Sequence, residues 1–191
     1  MIRTIIKALL LFLTIYSQLS ADDEIQTAWF IKFFPLVIHP REERMDDYYK
    51  YNLSDNGWLA RGQGGIGGVD IYNSDRSYGV RIMQGIYEDC AGMSSGFSHI
   101  GFRQRLINTK NHNLNWGIGP TYMYRESWSR FDNYGGHWLF EEHGDIESAF
   151  ILWGGEFEYN YKIKENIELS TSIAPAVPAI IMMGFGIKVW Y

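Results

Sequence analysis

The sequence predicts an all-β fold: a closed antiparallel eight-stranded transmembrane β-barrel, with short turns at one end and longer loops at the other. Three observations carry that expectation. Apolar and polar residues alternate with a period of two through most of the chain, in segments of about ten residues, the length of a tilted barrel wall. Charged residues recur on one face of those segments, and apolar or aromatic residues on the other. An export leader opens the chain, and no later run is long and apolar enough for a spanning helix.

The composition agrees. The 191 residues are 46% hydrophobic and 16% aromatic, with 20 glycines against 5 prolines, which suits many strands joined by turns. The formal net charge is -5 without a basic tail or stripe, so nucleic acid is not an expected partner. A single cysteine, Cys90, rules out an intramolecular disulfide framework and a cysteine-based zinc or iron–sulfur site. No cofactor or metal is expected, and the barrel is expected to be monomeric.

The N-terminus reads MIRTIIKALLLFLTIYSQLSADDEIQ. Arg3 and Lys7 form a positive region, Ala8 to Tyr16 an apolar one, and small residues end at Ala21. This is the layout of a secretory signal peptide over residues 1–21, leaving 22–191 as the barrel domain. The apolar core is shorter than the roughly 20 residues a spanning anchor needs.

Eight strand segments follow, at about 31–39, 63–72, 77–87, 96–107, 114–127, 148–162, 167–175 and 179–191. The first carries Pro35, which suits a strand beside an irregularity. In 77–87, Tyr78, Val80, Ile82 and Ile86 oppose Arg81, Met83, Gly85 and Tyr87. In 96–107, Ser98, Ile100, Phe102, Gln104 and Leu106 oppose His99, Gly101, Arg103 and Arg105. In 114–127, Leu114, Trp116, Ile118, Pro120, Tyr122 and Tyr124 oppose Asn115, Gly117, Gly119, Thr121, Met123 and Arg125. In the sixth, Ile151, Trp153, Phe157, Tyr159, Tyr161 and Ile163 oppose Glu156, Glu158, Asn160 and Lys162. In the seventh, Ile167, Leu169 and Ile173 oppose Glu168, Ser170 and Ser172. In the last, Phe185, Ile187, Val189 and Tyr191 alternate with Gly184, Gly186, Lys188 and Trp190. A soluble two-sheet sandwich with polar outer faces is the alternative that this alternation leaves open.

The links 73–76, 108–113 and 163–166 are short, while 40–62, 88–95 and 128–147 are longer. In a bacterial outer membrane, short turns belong to the periplasm and long loops to the exterior. Both termini then lie in the periplasm, and the loop GIYEDCAGMSS, with Cys90, lies on the lipopolysaccharide side. The C-terminal MMGFGIKVWY, ending on an aromatic residue, resembles the final strand of bacterial outer-membrane barrels.

Several stretches also resemble the lipid A palmitoyltransferase family of eight-stranded outer-membrane barrels. They are IKFFPLVIHPREER with Pro35 and His39, IYEDCAG with Asp89 and Cys90, GFSHIGFRQRLI, LNWGIGPTYMYRESW and IAPAVPAIIMMGFGI. The resemblance runs loosely over about 31–191 and lies in layout and short motifs. It implies transfer of a palmitoyl chain from a phospholipid to lipid A, with these lipids as partners and the outer membrane as location. His39 would take the proton of the acceptor hydroxyl and Asp89 would orient it. Cys90 stands where the family has serine, as a nucleophile or as an occupant of that position, and Glu88 and Asp89 beside it disfavour a thiolate. The family's helix before the barrel falls on DDEIQTAWFIK. The Pro-to-His spacing is one residue short of the family's.

Met83, Gly85, Gly117, Gly119 and Met123 face inward and are candidates for an acyl slot, or for ordinary barrel packing. Arg81, Arg103, Arg105 and Arg125, set against Glu156, Glu158 and Glu168, predict an ion-pair plug, which would leave no room for an acyl chain. His137, Glu141, Glu142, His143 and Asp145 match no tight metal-ligand spacing, and Trp128, Phe131, Tyr134 and Trp138 suit an interfacial aromatic girdle. A third reading is a lipid A deacylase; that family uses a His-x-Ser pair on a strand, and the chain offers only the reversed Ser98-His99. The competing reading from another class is a non-enzymatic small barrel that stabilises the envelope or contacts surfaces through its loops.

Overall fold

The computed structural model describes residues 25–38, 59–60, 64–89, 92–131, 136, 139–176 and 180–191. The leader over 1–21, the candidate residues His39 and Cys90, and Tyr134, His137 and Trp138 of the long loop lie outside the described residues.

Eight long antiparallel strands make the wall: β1 (Gln26–Ile38), β3 (Gly64–Tyr72), β4 (Tyr78–Glu88), β5 (Ser94–Asn108), β6 (His112–Glu126), β8 (Ile146–Lys164), β9 (Ile167–Ala176) and β10 (Ile180–Trp190). Two short strands, β2 (Leu59–Ala60) and β7 (Glu141–His143), extend β1 and β8 at the loop end. Each wall strand pairs with its neighbour in sequence, and β10 returns to pair with β1 from Ala28↔Trp190 to Ile38↔Ile181. Closure leaves none of the eight described wall strands as an edge, the condition for a sheet in hydrocarbon.

β1 begins at Gln26, five residues ahead of the expected segment, and the stretch that the family resemblance gives to a helix is strand from there on. Within AWFIKFF, Trp29, Ile31 and Phe33 point out while Ala28, Phe30, Lys32 and Phe34 are buried inside. Both faces are largely apolar, which hides the alternation from a reading of polarity. Pro35 sits where the register against β10 shifts, between Phe33 and Leu36, so its missing N–H costs no regular ladder bond.

The expected faces are found on β4, β5, β6, β9 and β10, with one difference on β8. Ile151 faces the lumen, buried, whereas Phe150, Leu152 and Trp153 all point out. The register against β6 runs Gly119↔Gly154 and then Thr121↔Ile151, so β8 holds one extra residue opposite Pro120. This is a bulge, placed where proline cannot donate a ladder bond, and it reverses the parity of everything before it.

The outer surface is a continuous apolar band. Ile31 is 69% exposed, Trp153 68% and Ile86 67%, with Phe33, Phe150, Phe157, Ile173, Phe185 and Ile187 around them. A water-soluble monomer does not expose such a band, and a lipid-facing wall requires one. The soluble sandwich is excluded by this surface together with closure.

Candidate functional site at the loop end and in the lumen

At the loop end, the turn 89–93 is held by Asp89. Its backbone N–H donates to the Met93 carbonyl at 2.9 Å and its Oδ1 accepts the Met93 N–H at 2.9 Å. Its Oδ2 accepts the indole N–H of Trp128 at 2.8 Å. Both oxygens of the predicted orienting carboxylate thus bond within this rim. Trp128 is buried rather than part of an exposed aromatic girdle, because the guanidinium of Arg125 lies 4.1 Å from its ring. Arg125 in turn donates to Glu147 from Nε at 2.8 Å and Nη2 at 2.6 Å, and Glu147 Oε1 accepts the Trp128 N–H at 3.0 Å. Arg125, read from the sequence as part of the central plug, belongs to this rim because β6 carries it to the loop end.

Below the rim lies an apolar layer of Phe30, Phe34, Ile66, Met83, Tyr87, Phe97, Met123, Ile151 and Met182, capped by Leu139 and Phe140. The five candidate slot residues face the lumen as expected. Met83 and Met123 are buried members of this layer. A Cβ on Gly85 would strike the Phe97 ring, one on Gly117 would come within 2.7 Å of Arg103 Cδ, and one on Gly119 would strike the backbone of β5. The space the three glycines leave is therefore occupied by a ring, an arginine stem and an adjacent strand.

Deeper still is a network of seven buried charges. Arg81 binds both oxygens of Asp70 at 2.6 Å and also reaches Glu156 and Glu158. Arg103 spans Glu156 at 3.1 Å and Glu158 at 2.8 Å. Lys32 bridges Glu156 and Glu158, and Lys188 bridges Asp70 and Glu158. Glu158 is fully buried, meets all four cations, and accepts Asn160 Nδ2 at 3.0 Å. The expected plug is present, but its membership differs. Lys32, Asp70 and Lys188 are members beyond the expected set, Arg105 and Glu168 form no ion pair with it, and Asn113 donates to Glu168 at 3.1 Å. The signal for these three is parity, since each is a lone charge at an inward position of an apolar strand.

The remaining candidates are separated. Ser98 points to the lipid side and donates to Gln84 at 2.5 Å, while His99 points inward and shares a 2.7 Å bond with Thr121. As consecutive strand residues they occupy opposite faces, so they form no catalytic pair. Among the described residues, no group of three or more His, Cys, Asp or Glu could hold a metal ion.

Comparison with known proteins agrees with this architecture. Residues 94–175 match a family described as a protein of unknown function, DUF481. Among curated proteins, none matches the sequence. The crystal structure of Ail, the attachment invasion locus protein of Yersinia pestis, in complex with the heparin analogue sucrose octasulfate, superposes with a TM-score of 0.52 at 11% identity, covering 88% of this chain and 99% of that one. The chain has the fold of a small outer-membrane β-barrel. Neisserial surface protein A (TM-score 0.47, 10% identity, 87% of this chain and 95% of that one) is also similar. So is the N-terminal barrel domain of Pseudomonas aeruginosa OprF (TM-score 0.47, 11% identity, 89% and 98%).

Proposed function

We propose that this chain is exported by its leader to the bacterial outer membrane and acts there as a monomeric, non-enzymatic barrel, stabilising the envelope or contacting surfaces through its loops. The observation that carries this reading is the filling of the lumen: nine packed apolar side chains lie above a seven-membered charge network. An acyl chain in the wall needs an apolar slot, and here the inward glycines face occupied space. A surface-contact role has a counterpart in Ail, an attachment protein whose structure holds a heparin analogue. Among the described residues, the exposed loop-end acids Glu88, Glu141, Glu142 and Asp145 outnumber the one exposed arginine, Arg130, which pairs with Glu126, and this balance suits a cationic partner better than a sulfated one.

The rival reading, acyl transfer by His39, Asp89 and Cys90, makes the test sharp. The protein is expressed in an outer membrane lacking its own palmitoyltransferase, and lipid A is weighed by mass spectrometry. An unchanged lipid A mass, with the barrel folded in the membrane, is expected. A gain of one acyl chain that disappears in His39→Ala and Asp89→Ala would replace this proposal with catalysis.

A further inference from the structure

The short-turn end of the lumen holds two arginines with no carboxylate of the described residues within ion-pair distance. Of the described arginines, Arg81, Arg103, Arg125 and Arg130 each have a carboxylate partner. Arg76 and Arg105 have none within ion-pair distance among the described residues. Arg76 lies flat on the Trp190 ring at 4.0 Å and donates once, to Gln26 Oε1 at 3.0 Å. Arg105 stands 5.7 Å from both the Trp190 and Tyr72 rings and donates once, to Asn115 Oδ1 at 3.4 Å. Each guanidinium has five N–H donors, so most remain unused.

Three further facts mark the place. Arg76 is the one described non-glycine residue with a left-handed backbone, at φ 59°. That conformation is strained for an L-residue, and Arg76 holds it with its guanidinium over the Trp190 ring. The two arginines also share the Trp190 ring, and burial, then the charge of Arg105, hold Arg76 below the usual arginine value against the opposing pull of Glu168. Finally, Trp190 Nε1 is buried without a partner. Of the nearby acids, Asp75 accepts from Ser77 at 2.8 Å and Glu168 from Asn113 at 3.1 Å, the other Glu168 oxygen being buried without a hydrogen-bond partner, and neither lies within ion-pair distance of Arg76 or Arg105.

We infer that Arg76 and Arg105 form an oxyanion site at the short-turn mouth of the barrel, which takes a phosphate group between their two guanidinium forks. Two planar forks match the oxygens of a phosphate bidentately, and a dianion or monoanion there relieves the repulsion between the arginines. The phosphate belongs either to a soluble molecule entering the mouth or to a lipid headgroup at its rim. This inference goes beyond the proposed function and does not depend on it.

The test uses the folded barrel in a phosphate-free maltoside detergent, titrated with inorganic phosphate at constant ionic strength. Heat and the arginine side-chain NMR signals are followed. Saturable binding in about the millimolar range is expected, the scale of two charge-assisted contacts. Arg76→Gln and Arg105→Gln should each weaken it about tenfold, Arg76→Lys less, and Arg130→Gln at the other end not at all. Heat-modifiable electrophoretic mobility reports that each variant is folded. In phosphatidylcholine vesicles, added phosphatidic acid that shifts the same signals and blocks phosphate assigns the site to a headgroup; added phosphatidic acid without effect assigns it to a soluble phosphate. Absence of saturable binding in the unaltered protein, or binding that survives both glutamine substitutions, overturns the inference.

Discussion

Glu158→Gln is the most direct probe of what fills the lumen. The substitution keeps shape and volume, so no cavity forms and the cost is electrostatic. Glu158 accepts from Lys32 at 2.5 Å, from Arg81 and Arg103 at 2.8 Å each, and from Lys188 and Asn160. Its loss leaves Asp70 and Glu156 to balance four cations in a buried site. Breaking a buried ion pair by neutralising one partner costs about 3–5 kcal/mol. With a urea slope of about 1–3 kcal/mol/M, the unfolding midpoint should fall by more than about 1 M. The assay is reversible urea unfolding in lipid, followed by tryptophan emission and electrophoretic mobility. Glu126→Gln is the control, since its pair with Arg130 is half-exposed and should contribute less than about 1 kcal/mol. Glu158→Gln combined with Lys188→Met restores part of the balance and should cost less than the sum of the two. A Glu158→Gln protein within about 0.5 kcal/mol of the parent, or strict additivity in the pair, would show that the network is not electrostatically coupled.

Two further outcomes follow from geometry. With Cys90 replaced by serine, a fluorophore on Leu152→Cys should be quenched by nitroxide-labelled lipid and one on Ile151→Cys should not, because the β8 bulge turns Ile151 inward; equal quenching would remove the bulge. In the turn, hydrogen bonds from Ser77 hold the Asp75 carboxyl below its usual value. A depressed carboxyl contributes stability above the unfolded value of about 3.9 and loses it as pH falls through the lower folded one, so Asp75→Ala should flatten the acid limb of the stability curve, read by the same unfolding assay.

Most of the wall was legible because the inward and outward sets differ in polarity. Arg81, Arg103, Glu156, Glu158, Glu168 and Lys188 are all inward charges that the alternation finds. It fails where that contrast is weak or interrupted. AWFIKFF is apolar on both faces, so its first turns and the inward Lys32 escape. Ile151 is misplaced because a bulge is a local event whose only sequence mark is Pro120, on the neighbouring strand. The rim is harder to read, since Asp89 and Trp128 are separated by two strands and nothing local in either announces the 2.8 Å bond between them. Arg105 is correctly inward, but its lack of a carboxylate emerges only from three-dimensional neighbours on β6 and β10.

The same network explains how these strands choose their register. A one-residue slip of β4 would turn Arg81 into the hydrocarbon, and the same slip of β1 would expose Lys32. Each exposed cation costs about 2–4 kcal/mol at mid-membrane, besides the pairs it leaves behind. The apolar residues alone discriminate weakly, because Phe30, Ile31, Phe33 and Phe34 suit either face. A barrel with Lys32→Met, Arg81→Met, Lys188→Met, Asp70→Leu and Glu158→Leu removes three cations and two carboxylates together and leaves Arg103 paired with Glu156, so no buried charge loses its partner. Well-packed apolar replacements of buried ion pairs are often neutral or stabilising. The correctly closed form of this variant should therefore resist urea about as well as the parent. Its refolding, however, should yield several electrophoretic species where the parent gives one, because slipped registers of β1, β3, β4 and β10 no longer strand charge in lipid. A single species with unchanged yield would mean that turns and the β8 bulge set the register without the charges.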